Sequence, residues 1–171
     1  MMLPDGLDVT LMVNGTATEA SVPSGEFLLD TLRNRLGLLS VKEGCQSAAC
    51  GSCTVLVDGK PRLACITLTL DAVGVPARTV ESLSTDLGAA MHPLQEAFAR
   101  NYATQCGFCA PGMLMSALAV IESNTELTEA SIRRALSGNL CRCTGYVQIV
   151  RAIADASERM NGCHDQGGAE E

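Results

Sequence analysis

Aromatic residues are scarce in this 171-residue sequence, which has no tryptophan and only 3 % aromatic residues in all. Hydrophobic residues nevertheless make up 47 % of the chain. The scarcity therefore excludes an aromatic-rich core but not a buried one, which must be packed from Ala, Leu, Val, Ile and Met side chains. The length allows one domain or two small ones.

Basic residues are also in deficit, with 12 Lys and Arg against 19 Asp and Glu and a net charge of −7. Phosphate backbones repel an acidic chain, so nucleic-acid binding is not expected. Long apolar runs are missing too, because the longest extends from Ala110 to Ile121, short of the roughly 18 residues of a membrane span. The opening MMLPDGLDVT has no arginine pair and no long apolar stretch. We therefore expect no export signal and a cytoplasmic location.

Cysteine, by contrast, is abundant, with nine residues in the chain. In a reducing cytoplasm this density favours metal binding over disulfides, and an odd total leaves one thiol unpaired in any disulfide scheme. All but one of the cysteines fall into two groups. The predicted metal ligands are Cys45, Cys50, Cys53 and Cys65 in the first group and Cys106, Cys109, Cys141 and Cys143 in the second.

The first half of the chain has the pattern of strands and turns. The alternating stretch LDVTLMV ends in Asn14-Gly15, which predicts a hairpin, and Asp58-Gly59 predicts a second one. Between them, Ser24 can cap a helix that Gly37 ends. Two hairpins with one helix between them predict a small α+β sheet with the helix across one face.

From about residue 90 the pattern becomes helical. HPLQEAFARNYA predicts an amphipathic helix, and PGMLMSALAVIES, apolar on all sides, predicts a buried one. TEASIRRAL begins at a possible cap, Thr128, and Thr144 can cap the last helix, which places Val147, Val150 and Ala154 on one stripe. A helical module of four helices is therefore expected.

The first cysteine group has the spacing Cys45-x4-Cys50-x2-Cys53 followed by Cys65, which is the plant-type ferredoxin spacing for a [2Fe–2S] cluster. Three thiolates on one loop can surround a compact cluster only if the backbone turns tightly, and the adjacent glycines permit such turns. Cys65 ends the hairpin that begins at Cys53, so the two should meet. Zinc sites usually have paired C-x2-C spacing, so iron–sulfur is favoured over zinc and over disulfides.

The second group is less specific. Cys106-x2-Cys109 and Cys141-x1-Cys143 are two close pairs, which leaves zinc as a serious alternative. Both pairs precede predicted helices, however, and helix N-termini stabilise negative thiolates and an anionic cluster. An iron–sulfur cluster at one end of the helical module is therefore favoured.

Three stretches carry both groups: LLDTLRNRLGLLSVKEGCQSAACGSCTVLVDGKPRLAC, QCGFCAPGMLMSALAV and IRRALSGNLCRCTGYVQIVRAI. In this order they resemble the small [2Fe–2S] iron–sulfur subunit of the molybdenum hydroxylases, the family of xanthine dehydrogenase, carbon monoxide dehydrogenase and aldehyde oxidoreductase. The resemblance covers residues 7 to 157 or so.

The resemblance implies an α+β fold with two [2Fe–2S] clusters. An N-terminal β-grasp, plant-type ferredoxin-like domain (1–82) would precede an all-α four-helix-bundle domain (83–160) and a polar tail (161–171). It implies an electron-transfer subunit of a molybdenum-dependent oxidoreductase that is not catalytic alone. Electrons would pass singly from the molybdopterin cofactor of a large subunit to FAD on a medium subunit, within an expected dimer of heterotrimers.

Two further residues carry over from the family. Gln105 matches a glutamine that hydrogen-bonds the pterin cofactor, and Cys143 matches the ligand cysteine whose surroundings approach that cofactor. From the residues alone, Gln105 is a structural hydrogen-bonding residue before a metal loop. Ala48 departs from the pattern, because many relatives have glycine there, and we expect only a slight change of loop geometry.

Other candidates carry no predicted chemistry. Cys163 is expected to be a free thiol, and neither histidine has a partner at ligand spacing, so surface or helix-terminal roles are expected for His92 and His164. Packing roles are expected for Phe98, Tyr102 and Phe108. No Ser-His-Asp or paired-carboxylate arrangement stands out.

Two other classes of function stay open: a redox carrier or sensor without molybdenum, and a zinc-bound interaction module. A simple ferredoxin does not need the helical half, which favours the subunit interpretation. The substrate is not encoded here, because in this family specificity lies in the large subunit.

Overall fold

A five-stranded mixed sheet forms the first half of the protein. The computed structural model describes residues 6–85, 91–123 and 127–162. The sheet has the order β2-β1-β5-β3-β4. Its strands are β1 (Leu7–Val13), β2 (Thr16–Val22), β3 (Thr54–Val57), β4 (Lys60–Leu63) and β5 (Pro76–Arg78).

Both predicted hairpins are present. β1 pairs with β2 and β3 pairs with β4, each antiparallel. The two-residue turns have left-handed backbone at both positions, with φ of 51° and 79° at Asn14 and Gly15 and 52° and 70° at Asp58 and Gly59. This conformation matches the right-handed twist of paired strands, which is why Asn-Gly and Asp-Gly are favoured there.

The short strand β5 joins the two hairpins into one sheet. It runs parallel to β1, with Met12 opposite Pro76, and antiparallel to β3, with Leu56 opposite Arg78. The chain reaches β5 through a 3-10 turn, Thr69–Ala72.

The predicted helix between the hairpins is present, but its start differs from the prediction. The α-helix α1 (Leu28–Asp30) continues as a wider π-helical turn over Thr31–Arg35. Phe27 occupies the N-cap position without a side-chain hydrogen bond, so the predicted cap at Ser24 is wrong. Gly37 follows the helix with φ of 71°, as the predicted stop requires.

Five helices lie in the second half of the described chain. They are α2 (Ser82–Thr85), α3 (Pro93–Arg100), α4 (Ala110–Glu122), α5 (Glu129–Ala135) and α6 (Val147–Gly162). The main-chain N–H of Leu94 donates to the imidazole of His92 over 3.2 Å, so this histidine caps α3. Thr128 caps α5 as predicted.

Two details of α6 correct the sequence prediction. Thr144 lies ahead of the helix, and its hydroxyl accepts from the main-chain N–H of Tyr146 rather than capping α6. Val147 is 46 % exposed, whereas Ile149 and Ile153 are buried. Val150 is buried as predicted and Ala154 packs against the same core, so Val147 is the member of the predicted stripe that lies outside the buried face.

The apolar side chains form two cores that meet at β3. Val55 and Val57 belong to the core under α1, and Leu56 belongs to the core of the helical half, which includes Met113 and Leu118. All four residues of β3 are buried, as expected of a strand covered on both faces. The helical half is therefore packed directly on the sheet.

The aromatic residues divide between core and surface. Phe98 is buried as predicted, but Tyr102 is 82 % exposed and Phe108 is 47 % exposed, so the packing role predicted for these two is wrong. Within the ranges that the structure describes, no helix combines the length and apolarity needed to cross a membrane.

Candidate metal centres

The loop of residues 44–53 carries the first three predicted ligands and has an unusual backbone. Gln46, Ala48 and Gly51 have φ of 52°, 60° and 70°. Left-handed backbone costs a residue other than glycine about 1–2 kcal/mol. Ala48 therefore occupies a position that favours glycine, and the loop keeps its left-handed conformation there. Where left-handed residues such as these interrupt a loop, successive main-chain N–H groups can point to the same side and form a concavity that binds anions.

Cys45 receives two of these N–H groups. The main-chain N–H of Ser47 donates to its sulfur over 3.4 Å, and the main-chain N–H of Cys50 also donates to it. These bonds, with that of Ser47 the stronger, lower the pKa of Cys45 to about 6. The Cys50 sulfur in turn contacts the Ser52 hydroxyl at 3.1 Å. The loop therefore stabilises negative charge on sulfur.

Cys53 and Cys65 meet across the base of the second hairpin. The main-chain N–H of Ala64 donates to the carbonyl oxygen of Cys53 over 3.2 Å, and both cysteines are buried. Burial is the main cause that raises the pKa of Cys53 to about 11, and the Cys65 thiol raises it further. The predicted approach of the two ends of the hairpin is confirmed.

The second group is assembled from two separate loops. Cys106 and Cys143 are exposed, with their sulfurs 3.6 Å apart. Their contact is the main cause that raises the pKa of Cys143. Cys109 is the N-cap residue of α4, and its side chain bonds that of Cys141. Burial above all, then Cys141, raises the pKa of Cys109 to about 12.

Cys141 is the member of the second group whose pKa is lowered. Burial acts to raise it, but the Thr144 hydroxyl, 3.1 Å from the sulfur, and the main-chain N–H groups of Thr144 and Cys143 outweigh burial. The Tyr146 hydroxyl accepts from the main-chain N–H of Cys141 over 2.9 Å and donates to the carbonyl oxygen of Asn139 over 3.1 Å. Side chains that follow the cysteine motif thus fix this loop.

In both groups the side-chain contacts join the sulfurs in pairs. The pairs are Cys45 with Cys50, Cys53 with Cys65, Cys106 with Cys143, and Cys109 with Cys141. Among the described residues, no group of three or more His, Cys, Asp or Glu is arranged to hold a metal ion, and none of the eight described cysteines forms a disulfide.

The donor chemistry of each group fits a [2Fe–2S] cluster. Such a cluster takes four cysteine thiolates, two on each iron, and each group supplies two pairs. Close thiols such as Cys106 and Cys143 oppose each other's ionisation, and a bound cation removes this opposition because coordinated thiols are deprotonated.

A hydrogen-bonded connection that sequence reasoning missed joins the two groups. The main-chain N–H of Leu140 donates to the carbonyl oxygen of Cys50 over 2.8 Å. The buried Asn139 amide donates to the carbonyl oxygen of Gly51 over 2.9 Å and to the Thr54 hydroxyl over 3.2 Å. The only sequence signal was a polar residue between Gly138 and Leu140, inside a motif otherwise assigned to metal binding.

The two cysteine loops also touch without space between them. A Cβ on Gly51 would lie 2.2 Å from the carbonyl oxygen of Gly138, and a Cβ on Gly112 would lie 2.4 Å from that of Gly51. A Cβ on Gly44 would lie 3.3 Å from the ring of Phe108. Glycine is therefore required at Gly51 and Gly112 by close approach of backbone.

The remaining predicted site residues are found at different depths. Gln105 is exposed and directly precedes Cys106 in the chain. His92 serves as a helix cap, and Cys163 and His164 lie outside the described residues.

Comparison with known proteins gives the same division into two iron–sulfur units. Residues 11–72 match the family described as "2Fe-2S iron-sulfur cluster binding domain", and residues 79–154 match the family described as "[2Fe-2S] binding domain". Cys45, Cys50, Cys53 and Cys65 fall within the first match, and Cys106, Cys109, Cys141 and Cys143 fall within the second.

Relatives match nearly the whole chain. The nicotine 6-hydroxylase small subunit of Paenarthrobacter nicotinovorans is 47 % identical over 152 residues, which are 89 % of this chain and 90 % of the relative. The xanthine dehydrogenase iron-sulfur-binding subunit of Escherichia coli O157:H7 is 41 % identical, over 89 % of this chain and 95 % of the relative.

Quinoline 2-oxidoreductase from Pseudomonas putida 86 shows the same fold in a crystal structure. The TM-score is 0.85 at 40 % identity, over 92 % of this chain and 98 % of that one. The α+β fold, with a ferredoxin-type domain followed by a helical iron–sulfur domain, is thereby confirmed, as is the role of the protein as a component of an oxidoreductase. The chain belongs to the family of small [2Fe–2S] iron–sulfur subunits of the molybdenum hydroxylases.

Proposed function

We propose that this protein relays electrons one at a time between a molybdopterin cofactor on a large subunit and FAD on a medium subunit. The observation that carries the proposal is the direct connection between the two cysteine groups through Cys50 and Leu140. A chain that held two clusters for separate purposes would not need to bring their ligand loops into hydrogen-bonding contact.

Each group holds one [2Fe–2S] cluster in this proposal, and the cluster when bound takes up and releases single electrons. The ligands are Cys45, Cys50, Cys53 and Cys65 in the ferredoxin-like half and Cys106, Cys109, Cys141 and Cys143 in the helical half. The main-chain N–H groups that reach Cys45, and the hydroxyl groups beside Cys50 and Cys141, offset negative charge on the sulfurs. Such hydrogen bonds are among the factors that set cluster potentials.

The second group faces the large subunit in this arrangement. Cys106 and Cys143 are exposed, so a partner can approach their sulfurs directly. Apolar side chains that a monomer leaves in water lie on the same loops, with Leu140 57 % and Phe108 47 % exposed. Exposed apolar groups around a polar centre are typical of a protein interface.

Gln105 and Cys143 are the residues that we assign to contact with the pterin cofactor. Both residues are exposed. Gln105 directly precedes Cys106, and the sulfur of Cys143 contacts the sulfur of Cys106. The amide of Gln105 supplies two donors and an acceptor, which suits the hydrogen-bonding edge of a pterin. Cys143 then provides the path from this edge into the protein.

The wider organisation follows from the same proposal. We place the domains at 1–82 and 83–160 with a tail at 161–171, which is supported by Ala77 belonging to the first core and Leu83 to the second. The large and medium subunits complete a heterotrimer that pairs into a dimer. A cytoplasmic location is supported by the eight described cysteines, all of which are free thiols.

Low-temperature EPR of the dithionite-reduced protein, with iron and zinc counted in the same sample, tests the proposal. Two distinct signals with about four irons per chain are expected from two [2Fe–2S] clusters. One signal with half that iron would remove the second group from the relay and leave zinc at Cys106, Cys109, Cys141 and Cys143. Zinc without iron would overturn electron transfer altogether.

A further inference from the structure

We propose that Asn139 is a positioning residue for electron transfer between the two cysteine groups. It holds the loop that leads into Cys141 against the loop that carries Cys50. This inference rests on the proposed function, because it assigns the route that electrons take between the two sets of ligands.

The Asn139 side chain is buried at the junction of three elements. Its amide nitrogen donates to the carbonyl oxygen of Gly51 and to the Thr54 hydroxyl, and its amide oxygen accepts from the Ser116 hydroxyl over 2.7 Å. The first two bonds reach the ferredoxin-like half, and the third reaches α4. Asn139 is 4 % exposed, so these bonds form away from water.

The position requires an amide rather than another polar side chain. It needs two donors toward Gly51 and Thr54 and one acceptor toward Ser116, which is the inventory of an Asn side chain. A hydroxyl supplies one donor only, and a carboxylate supplies none, so neither satisfies all three partners. Buried polar networks of this kind fix a single arrangement when every member is satisfied.

The residue after Asn139 makes the bond that joins the two groups. Leu140 donates its main-chain N–H to the carbonyl oxygen of Cys50, and Cys141 follows directly. The connected route therefore runs from the sulfur of Cys141 along its own backbone to Leu140, across one hydrogen bond, and through Cys50 to its sulfur. Asn139 and Leu140 bond adjacent carbonyl groups, so loss of the Asn139 amide frees the neighbouring contact.

The transfer along this route is a simple exchange. A [2Fe–2S] cluster held by the group that contains Cys141 would lose one electron and a cluster held by the group that contains Cys50 would gain it, with no bond made or broken and no proton moved. Its rate depends on the separation and on the connection between the two sets. A residue that fixes both therefore controls the rate without touching either set of sulfurs.

The experiment compares wild-type and Asn139→Ala protein in the native complex, after full reduction with dithionite. Two reduced clusters split each other's EPR lines by dipolar coupling, which falls with the cube of their separation. We expect full iron content in the variant, a changed splitting, and electron exchange between the two signals that is several-fold slower. The exchange is followed by freeze-quench EPR after a substoichiometric pulse of reductant.

Asn14→Gly is the matched control. Asn14 also makes two side-chain hydrogen bonds, both to Thr79, and it has left-handed backbone that glycine adopts freely. This variant loses the same kind of contact far from the cysteines, so its splitting and exchange rate should be those of the wild type. If the splitting changed in both Asn139→Ala and Asn14→Gly, the cause would be general destabilisation, and the inference would be overturned.

The outcomes separate this inference from the proposed function. Two clusters with wild-type splitting and exchange in Asn139→Ala would overturn the positioning role and leave the relay intact. A wild-type protein without two clusters would overturn both. If Asn139→Ala fails to assemble, Asn139→Asp decides, because its carboxylate keeps the acceptor toward Ser116 and lacks both donors toward Gly51 and Thr54: altered splitting supports the inference, and wild-type splitting overturns it.

Discussion

The carbonyl oxygen of Cys50 accepts a hydrogen bond from the main-chain N–H of Leu140 over 2.8 Å, which joins the two cysteine loops by their backbones. Backbone contacts of this kind leave no room for side chains, and Gly51 and Gly112 stand where Cβ atoms would collide with the opposite loop. The two loops are therefore packed as one structural unit, and a Cβ that pushes one backbone against the other should disturb both centres.

Gly51→Ala should show this dependence. The new Cβ would lie 2.2 Å from the carbonyl oxygen of Gly138, and overpacking typically costs about 1–3 kcal/mol beyond backbone strain. Gly59→Ala is the control, because Gly59 has the same φ of 70° and open space around its Cβ position. The control should show only the strain, about 1–2 kcal/mol. Thermal unfolding measures the cost and EPR measures the effect on both centres. Equal losses in the two variants would refute close packing of the loops.

Cys53→Ser should remove iron from the first group alone. Cys53 and Cys65 are buried as a pair, and serine lacks the thiolate that iron requires, so we expect about half of the iron and one remaining EPR signal. Cys163→Ser is the matched control, because this cysteine belongs to neither group and its loss should leave the iron content unchanged. Loss of iron in the control, or full iron in Cys53→Ser, would contradict the ligand assignment.

Glu81→Gln should destabilise the protein in a manner that depends on pH. Burial acts to raise the pKa of Glu81, but the hydroxyls of Ser40 and Thr79, each 2.5 Å from its carboxylate, outweigh burial and lower it. A lowered pKa stabilises the fold above the ordinary carboxyl value near 4.3, and this contribution disappears as the pH falls through the folded value.

At pH 7 we expect a loss of about 1 kcal/mol in Glu81→Gln, since a neutral amide accepts more weakly than a carboxylate. The difference between variant and wild type should shrink as the pH falls below the ordinary carboxyl value and through the lowered pKa of folded Glu81, below which both side chains are neutral. Urea unfolding of the two proteins in parallel measures it. Glu19→Gln, at an exposed position, should match the wild type at every pH. A difference that grows toward low pH would show that the sign of the shift is wrong.

Local signals in the sequence predicted the hairpins and the stop at Gly37, because each depends on a residue that tolerates left-handed backbone. The Asp58-Gly59 hairpin likewise predicted that Cys53 and Cys65 meet. Strand β5, Pro76–Arg78, was not predicted, since a three-residue strand has no periodicity and is fixed only by its pairing with β1 and β3. Asn139 was also missed, because its hydrogen-bond partners Ser116, Gly51 and Thr54 lie far from it in the sequence and no local pattern indicates them.

The errors around α6 have a common physical cause. Thr144 is a residue type that often caps helices. Its hydroxyl instead hydrogen-bonds the sulfur of Cys141 and accepts from the main-chain N–H of Tyr146, and the helix begins after these residues. The chain there first forms the loop that carries Cys141 and Cys143. Val147 then falls on the exposed surface instead of the core. Local preference gives way where the loop is fixed by tertiary contacts.

Gln105→Ala tests the proposed contact with the pterin cofactor. Gln105 is exposed, so its loss should change neither the iron content nor the unfolding temperature. One lost hydrogen bond is worth about 0.5–1.5 kcal/mol, which corresponds to roughly a two- to tenfold slower transfer from the large subunit. Stopped-flow reduction of the iron–sulfur centres by the complex measures this rate. Thr104→Ala, at the adjacent exposed position, is the control and should transfer electrons at the wild-type rate. A wild-type rate in Gln105→Ala would show that the amide makes no contact on the electron path, while slow transfer in both variants would point to damage to the loop as a whole.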